Sequence, residues 1–315
     1  RAVISLGLIA TLIREVRITM NQKQSLYTTP FIIQNCILLW LRFQSRRRSE
    51  NYTTMSYTIY QVDAFASQVF SGNPAAVVPL TEWLNDDVLQ KIAAENNLSE
   101  TVYYIIKEDV IEIRWFTPAT EVDLCGHATL AAAFVLKNNE GFHGTVIPFY
   151  SYRSGHLPVT IHDDSFTMNF PCDVLTEVEL TEELMHTTNK RPLKAFRGKS
   201  DFMLVYENQT DISSMRPNLS AIEKLKARGL IVTAKGEDCD FVSRFFGPQC
   251  GVNEDPVTGS AHTTLTPYWS SVLNKHVLTA RQLSARKGDL FCELVGERVH
   301  ITGKAVLYMK GEITI

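Results

Sequence analysis

From Tyr57 to Ala64 apolar and polar residues alternate, which is the period of a strand with one buried face. Ser71-Gly72-Asn73-Pro74 then reads as a turn, and the short apolar run Ala75–Val78 behind it as a second strand. Asn85, followed by Asp86 and Asp87, has the chemistry of a helix N-cap with acids in the first turn. Val88, Leu89, Ile92 and Ala93 fall on one helical face, and the pattern stops near Asn96-Asn97. Val102–Ile106 and Ile111–Phe116 return to strand character. Gly126 leads into an alanine-rich apolar helix over Ala128–Lys137.

This order of elements recurs. At an offset of 130 residues, Leu89, Ile92, Val102, Arg114, Phe116, Pro118 and Val122 meet Leu219, Ile222, Val232, Arg244, Phe246, Pro248 and Val252. Trp115 meets the aromatic Phe245. With three further residues inserted, Gly126-His127-Ala128 meets Gly259-Ser260-Ala261. Ordinary residue usage would give roughly two identities over such a stretch. The pattern predicts two copies of one α/β unit, a first domain over 55–170 and a second over 171–302, with a C-terminal strand at about 303–315 returning to the first.

Composition changes the picture at one place. Apolar residues at 45% and charged residues at 21% fit a globular chain, and a net charge of −3 offers no basic field for nucleic acid. Residues 1–54, however, carry +6, which leaves −9 for the other 261 residues. The leader's apolar runs, Ala2–Ile13 and Phe31–Leu41, are shorter than the ~20 residues of a spanning helix, so no membrane partner is expected. It reads as a basic extension outside the fold, with Met55 a natural start. Cytoplasmic placement is expected, and organellar targeting by residues 1–54 stays open. The six cysteines show no zinc-like spacing and no C-x-x-C pair, so reduced thiols and no metal site are expected. Phosphate-binding glycine loops are likewise missing from the sequence.

Each copy ends in a glycine turn feeding a helix. The first turn of a helix presents unpaired N–H groups and the positive end of its dipole. Two such starts facing one another, at Gly126 and Gly259, would hold a small dianion or two carboxylate-like groups. The copies differ where chemistry would sit. At the same offset Glu100 meets Leu230, Asp255 falls in the inserted residues, and His127 meets Ser260. One cleft would then hold two carboxylates and one imidazole, with Asp255 able to bond His127 and Ser260 placed as a helix N-cap. A carboxylic acid in a partly dry cleft has its pKa raised and can carry a proton between carbons near neutrality. Cys125, before Gly126, is matched by Thr258. A thiol at a helix start can act as acid or base, so acid/base chemistry at Cys125 is one alternative. A non-enzymatic metabolite-binding module is another.

Val62-Asp63-Ala64-Phe65, Phe70-Ser71-Gly72-Asn73-Pro74-Ala75, Asn97-Leu98-Ser99-Glu100-Thr101, Arg114-Trp115-Phe116-Thr117-Pro118, Asp123-Leu124-Cys125-Gly126-His127-Ala128-Thr129 and Glu254-Asp255-Pro256-Val257-Thr258-Gly259-Ser260-Ala261, in this order, resemble the PhzF-like (phenazine biosynthesis F) isomerases. The resemblance runs from about Tyr57 to the C-terminus. It implies the diaminopimelate-epimerase-like α/β (α+β) fold, two similar domains each a curved sheet or barrel around a central helix. It also implies proton transfer without a cofactor on a small carboxylated substrate, often in a homodimer. Glu100 is implied as the general acid/base with His127 and Asp255 beside it. Asn73, Ser99, Gly126, Gly259 and Ser260 are implied around the substrate. Cys125-Gly126-His127 also resembles the proline racemase-type relatives on the same fold, which implies, as the alternative, a Cys125-dependent racemase, epimerase or dehydratase of a hydroxylated amino acid.

Overall fold

Strand and helix alternate as the residue pattern predicts in the computed structural model, which describes residues 55–315. The basic leader 1–54, with its two apolar runs and Cys36, lies outside the described residues. The first half runs β1 (Ser56–Ala64), β2 (Asn73–Leu80), α1 (Asp86–Asn96), β3 (Glu100–Ile106), β4 (Ile111–Phe116), β5 (Glu121–Val122), α2 (Gly126–Asn138), β6 (Val146–Ser151), β7 (Gly155–His162) and β8 (Ser165–Pro171). The second runs β9 (Thr176–Val178), α3 (Glu182–Met185), β10 (Lys194–Arg197), β11 (Phe202–Val205), α4 (Gln209–Ser213), α5 (Leu219–Ile222), β12 (Leu230–Lys235), β13 (Phe241–Gly247), β14 (Val252–Asp255), α6 (Gly259–Leu273), β15 (Val277–Gln282), β16 (Gly288–Val295) and β17 (Arg298–Thr314). Among the described residues no helix is long and apolar enough to cross a membrane.

The ladders repeat. β2 pairs parallel with β3, β3 antiparallel with β4, and β4 parallel with β6. β11, β12, β13 and β15 pair in the same senses. In the first half β6, β7 and β8 follow, and β17 pairs with both β8 and β1, which closes a barrel. α2 fills it. Ala128, Leu130, Ala131, Ala132, Ala133, Val135 and Leu136 are all buried, because a helix apolar on every side must be surrounded. Its alanines let the strands wrap close. In the second half α6 plays the same part against β15, β16 and β17, with Ala261, Leu265 and Trp269 buried.

Register corrects the uniform offset of 130. Tyr103 stands opposite Arg114, as Val232 stands opposite Arg244. The β12–β13 turn is one residue longer than the β3–β4 turn, so the counterpart of Glu100 is Gly229, not Leu230. The three inserted residues fall in the turn between β13 and β14. Asp255 therefore lies outside them, on β14 opposite Phe245, where Val122 stands opposite Trp115. One symmetric feature escapes residue-type matching: Arg114 grips Glu121 through Nε and Nη2 at 2.7 and 2.9 Å, and Arg244 grips Glu254 identically. Each guanidinium also lies over its own Phe two residues on, Phe116 or Phe246. Such forks fix the β4–β5 and β13–β14 turns that lead to the two central helices.

A second device ties the halves together. Between β1 and β2 the backbone passes through left-handed conformations at Phe65, Phe70 and Gly72. Arg286, in the β15–β16 turn, donates to the carbonyls of Ser71 and Gly72 and to the buried carboxylate of Asp63. Asp63 in turn accepts from the Phe70 N–H, and the Gly72 N–H donates to the Lys287 carbonyl. Gly72 has φ +67°, and a Cβ there would stand 2.1 Å from the Ala64 carbonyl oxygen. Gly72→Ala is expected to cost at least about 2 kcal/mol, combining left-handed strain with a backbone clash. Chemical denaturation checks this; a loss under about 0.5 kcal/mol, the range of a neutral surface change, would contradict it.

Candidate active site

The two central helices begin face to face. A Cβ on Gly126 would lie 3.8 Å from the Cα of Gly259, and one on Gly259 equally close to Gly126, so the two helix starts stand in van der Waals reach of one another. The cap positions are Cys125 and Thr258, and neither side chain bonds its helix's free N–H groups. Neither first turn carries an acidic residue. The short helices α3, α4 and α5, by contrast, are each capped by a side chain, from Thr181, Asn208 and Asn218. The first-turn N–H groups of α2 and α6 thus remain available to an anion.

Glu100 opens β3, and its Oε2 lies 3.1 Å from His127 Nε2 in the first turn of α2. The other ring nitrogen, Nδ1, faces the Cys125 thiol at 3.4 Å and Asn73 Nδ2 at 3.2 Å. Both Asn73 Nδ2 protons go to Asp255 Oδ1 and the Val257 carbonyl, so the ring's charge partners are Glu100 beside Nε2 and the Cys125 sulfur beside Nδ1. Glu100, Cys125 and His127 offer three potential metal ligands within 4.8 Å of one another.

Asp255 does not bond His127 directly, contrary to the expectation from sequence. Asn73, fully buried at the start of β2, stands between them. Its Nδ2 donates to Asp255 Oδ1 at 2.7 Å and to the Val257 carbonyl at 2.9 Å while also touching the His127 ring. The other Asp255 oxygen accepts from Thr258 Oγ1 at 2.6 Å. The Thr258 hydroxyl is thereby spent on Asp255 rather than on capping. Ser260 is not the N-cap either: it lies in the first turn, exposed, and its Oγ accepts from Arg228 Nη1 at 2.9 Å. Ser99 is half-buried in the turn just before Glu100.

Burial dominates the electrostatics. It pushes the Cys125 thiol up to about 11, with the Glu100 carboxylate adding to the effect, so the sulfur is protonated at neutral pH. Burial also raises Asp255 to about 6, and Glu100 adds to this against the opposing pull of His127. For His127, burial acts toward a lower pKa, but neighbouring Cys125 and Glu100 outweigh it and lift the imidazole well above its ordinary range. Because the thiol is neutral, the carboxylate of Glu100 is the partner that makes the ring more basic.

Two residues of the site were not legible beforehand. Gln282, fully buried on β15, accepts from the Thr258 N–H and donates to the Asp255 carbonyl and the Thr258 hydroxyl, which fixes the loop into α6. His262 donates its Nδ1–H to the Thr258 carbonyl and is held neutral, its pKa lowered by burial to about 4. It occupies the place of Thr129, whose hydroxyl donates to the Cys125 carbonyl. The available signal was the matched position four residues after each cap.

Comparison with known proteins agrees with this architecture. The family profile described as phenazine biosynthesis-like protein (PhzC-PhzF) matches residues 62–311. A protein of Pseudomonas aeruginosa named an uncharacterized isomerase is 48% identical over 261 residues, covering 83% of this chain and all of its own length. The crystal structure of a PhzF-family phenazine biosynthesis protein from Enterococcus faecalis superposes with a TM-score of 0.81 at 44% identity, over 83% of this chain and all of that one. A hydroxyproline epimerase from Agrobacterium vitis, at 9% identity and a TM-score of 0.56 over 82% of this chain and 93% of its own, shares the fold alone. The two-helix, barrel-wrapped architecture and these matches together make the chain a member of the PhzF-like phenazine biosynthesis family, with the diaminopimelate-epimerase-like fold.

Proposed function

We propose that this chain is a cofactor-independent isomerase that moves a proton within a small carboxylated metabolite, with Glu100 as the general acid/base. The observation that carries the reading is the placement of one carboxylate, 3.1 Å from an imidazole nitrogen, beside two uncapped helix starts. Glu100 takes a proton from an acidic C–H of the bound substrate, and the electron pair left behind spreads into the adjoining unsaturated or carboxyl system. The free N–H groups at Gly126 and Gly259 stabilise that developing negative charge. Glu100 then returns the proton to another carbon on the same face, so the enzyme ends as it began. His127, its Nε2 3.1 Å from Glu100, steadies that carboxylate by its charge, and Asn73 and Asp255 hold the ring in place.

The single thiol argues against a Cys125-dependent racemase. Cys125 is protonated at neutral pH, and the matching position is Thr258, whose hydroxyl is committed to Asp255. A two-base racemisation across the cleft lacks its second thiol. A purely binding role is poorly served by a carboxylate beside an anion-binding pair of helices.

Glu100→Gln should abolish exchange of substrate hydrogen with deuterated solvent while leaving binding within a few-fold; screening small carboxylic acids by mass spectrometry supplies the substrate. Near wild-type exchange in the variant refutes the mechanism, and a wild-type protein that binds but exchanges nothing is a binding module. Cys125→Ala should keep at least about a third of wild-type turnover, since the thiol performs no step; a loss of a hundredfold or more would move the chemistry to sulfur. Asp255 offers a pH test. In the unfolded chain it titrates near ~3.9, whereas in the fold burial holds its proton up to about 6. The folded protein therefore binds more protons between these values, and stability from this group falls as pH rises through that window. Asp255→Asn should flatten the fall between pH about 4 and about 6 in denaturation measurements; an unchanged slope would refute the assignment.

A further inference from the structure

The proton-moving carboxylate occupies one half only, and the register says what stands in its place in the other. Glu100 corresponds to Gly229, and Ser99 to Arg228. A carboxylate at position 229 is sterically impossible, because even a Cβ there would meet Phe245 at 2.4 Å and the Phe246 carbonyl at 2.7 Å. The second half instead brings a guanidinium to the same edge of the cleft. Arg228 lies over the Phe245 ring and reaches Ser260, one residue from the Gly126–Gly259 approach.

The way Arg228 is held leaves it equipped to bind. Nε and Nη2 are taken by Asp201, whose side chain is only 3% exposed, so the guanidinium is anchored on its inner edge. The Arg228 side chain is itself 38% exposed. Nη1 spends one N–H on the Ser260 hydroxyl. Three of the five N–H groups are thus committed, and two stay free on a rigidly placed fork of the kind that suits a carboxylate. Ser260, its hydroxyl oriented by Arg228, adds a donor at the start of α6.

We propose that Arg228, with Ser260, binds an anionic group of the substrate at the start of α6, so that the second half fixes substrate orientation while Glu100 in the first half handles the proton. The substrate class that follows is a small acid whose carboxylate lies toward the second half and whose acidic C–H lies toward β3. Arg228 is a specificity-determining residue and takes no proton. This inference rests on the reading that the cleft accepts an anionic metabolite, and it can fail separately from the role given to Glu100.

Succinate serves as the probe and its diamide, succinamide, as the uncharged control, with binding measured by saturation-transfer NMR and titration calorimetry on the full chain. The wild type should bind succinate at least tenfold more tightly than succinamide. Arg228→Gln should erase that preference, and Arg228→Lys should retain part of it. Because Arg228→Gln strands the Asp201 carboxylate, the double variant Arg228→Gln/Asp201→Asn removes both charges together and should lose succinate equally while keeping the wild-type circular dichroism. Glu100→Gln should bind succinate at least as well as wild type. Equal binding of acid and diamide by the wild type, or undiminished succinate binding by the double variant, overturns the proposal. If Glu100→Gln still exchanges deuterium while Arg228→Gln loses succinate, the proton mechanism fails and the role of Arg228 stands.

Discussion

Two helices that start nose to nose repel one another. Each carries roughly half a positive charge at its first turn, and the usual remedies, a capping side chain or an early acid, are missing from both α2 and α6. The penalty is on the order of 1 kcal/mol per end. What holds them is everything around them: a barrel closed about α2, strands packed on α6, the Arg286 clamp on the β1–β2 loop, and the Asn73 amide joined to Asp255 and Val257. An anion between the helix starts cancels both partial charges at once. Tension in the framework and affinity of the cleft are therefore the same fact.

The duplication explains why the framework is symmetric and the chemistry is not. Arg114–Glu121 and Arg244–Glu254 are one motif used twice, and so are the bonds from Thr129 and His262 back to the carbonyls four residues earlier. These positions serve the fold, and both halves need them. The positions around the cleft have parted company: carboxylate against glycine, imidazole against hydroxyl, thiol against threonine. Proton transfer along one face of a substrate asks for one base, and a second would compete for the same anion.

Much of the fold could be read from the residues because it rests on local periodicity. The alternation of β1, the acidic first turn and apolar face of α1, the β3–β4 hairpin and the all-apolar α2 each follow from neighbouring residues, although Asn85 stands before α1 without a side-chain capping bond. Register could not be read, because one residue more in the β12–β13 turn slides a strand without changing its composition. Hence Glu100 was set against Leu230, when ladder pairing sets it against Gly229. The candidate site residues stand in recognisable motifs, yet the bonds among such residues join partners far apart in the chain: Asn73 to Asp255, and Asp63 to Arg286. Such bonds leave no periodic trace. Arg228 and Gln282 are single polar residues in ordinary surroundings until the fold brings them to the α6 turn.

The strand β17 deserves a last consideration for what it does in time. Its first part pairs with β16 on one side and β8 on the other, and its remainder pairs with β1 along Ala64 to Ser56. The first barrel is thus completed by a strand that follows the whole second half in the chain. Until then β1 keeps an open edge, and α2 lies in a barrel missing a stave. Assembly of the first half must wait for synthesis of the second, so the two halves, built on matching ladders, mature together.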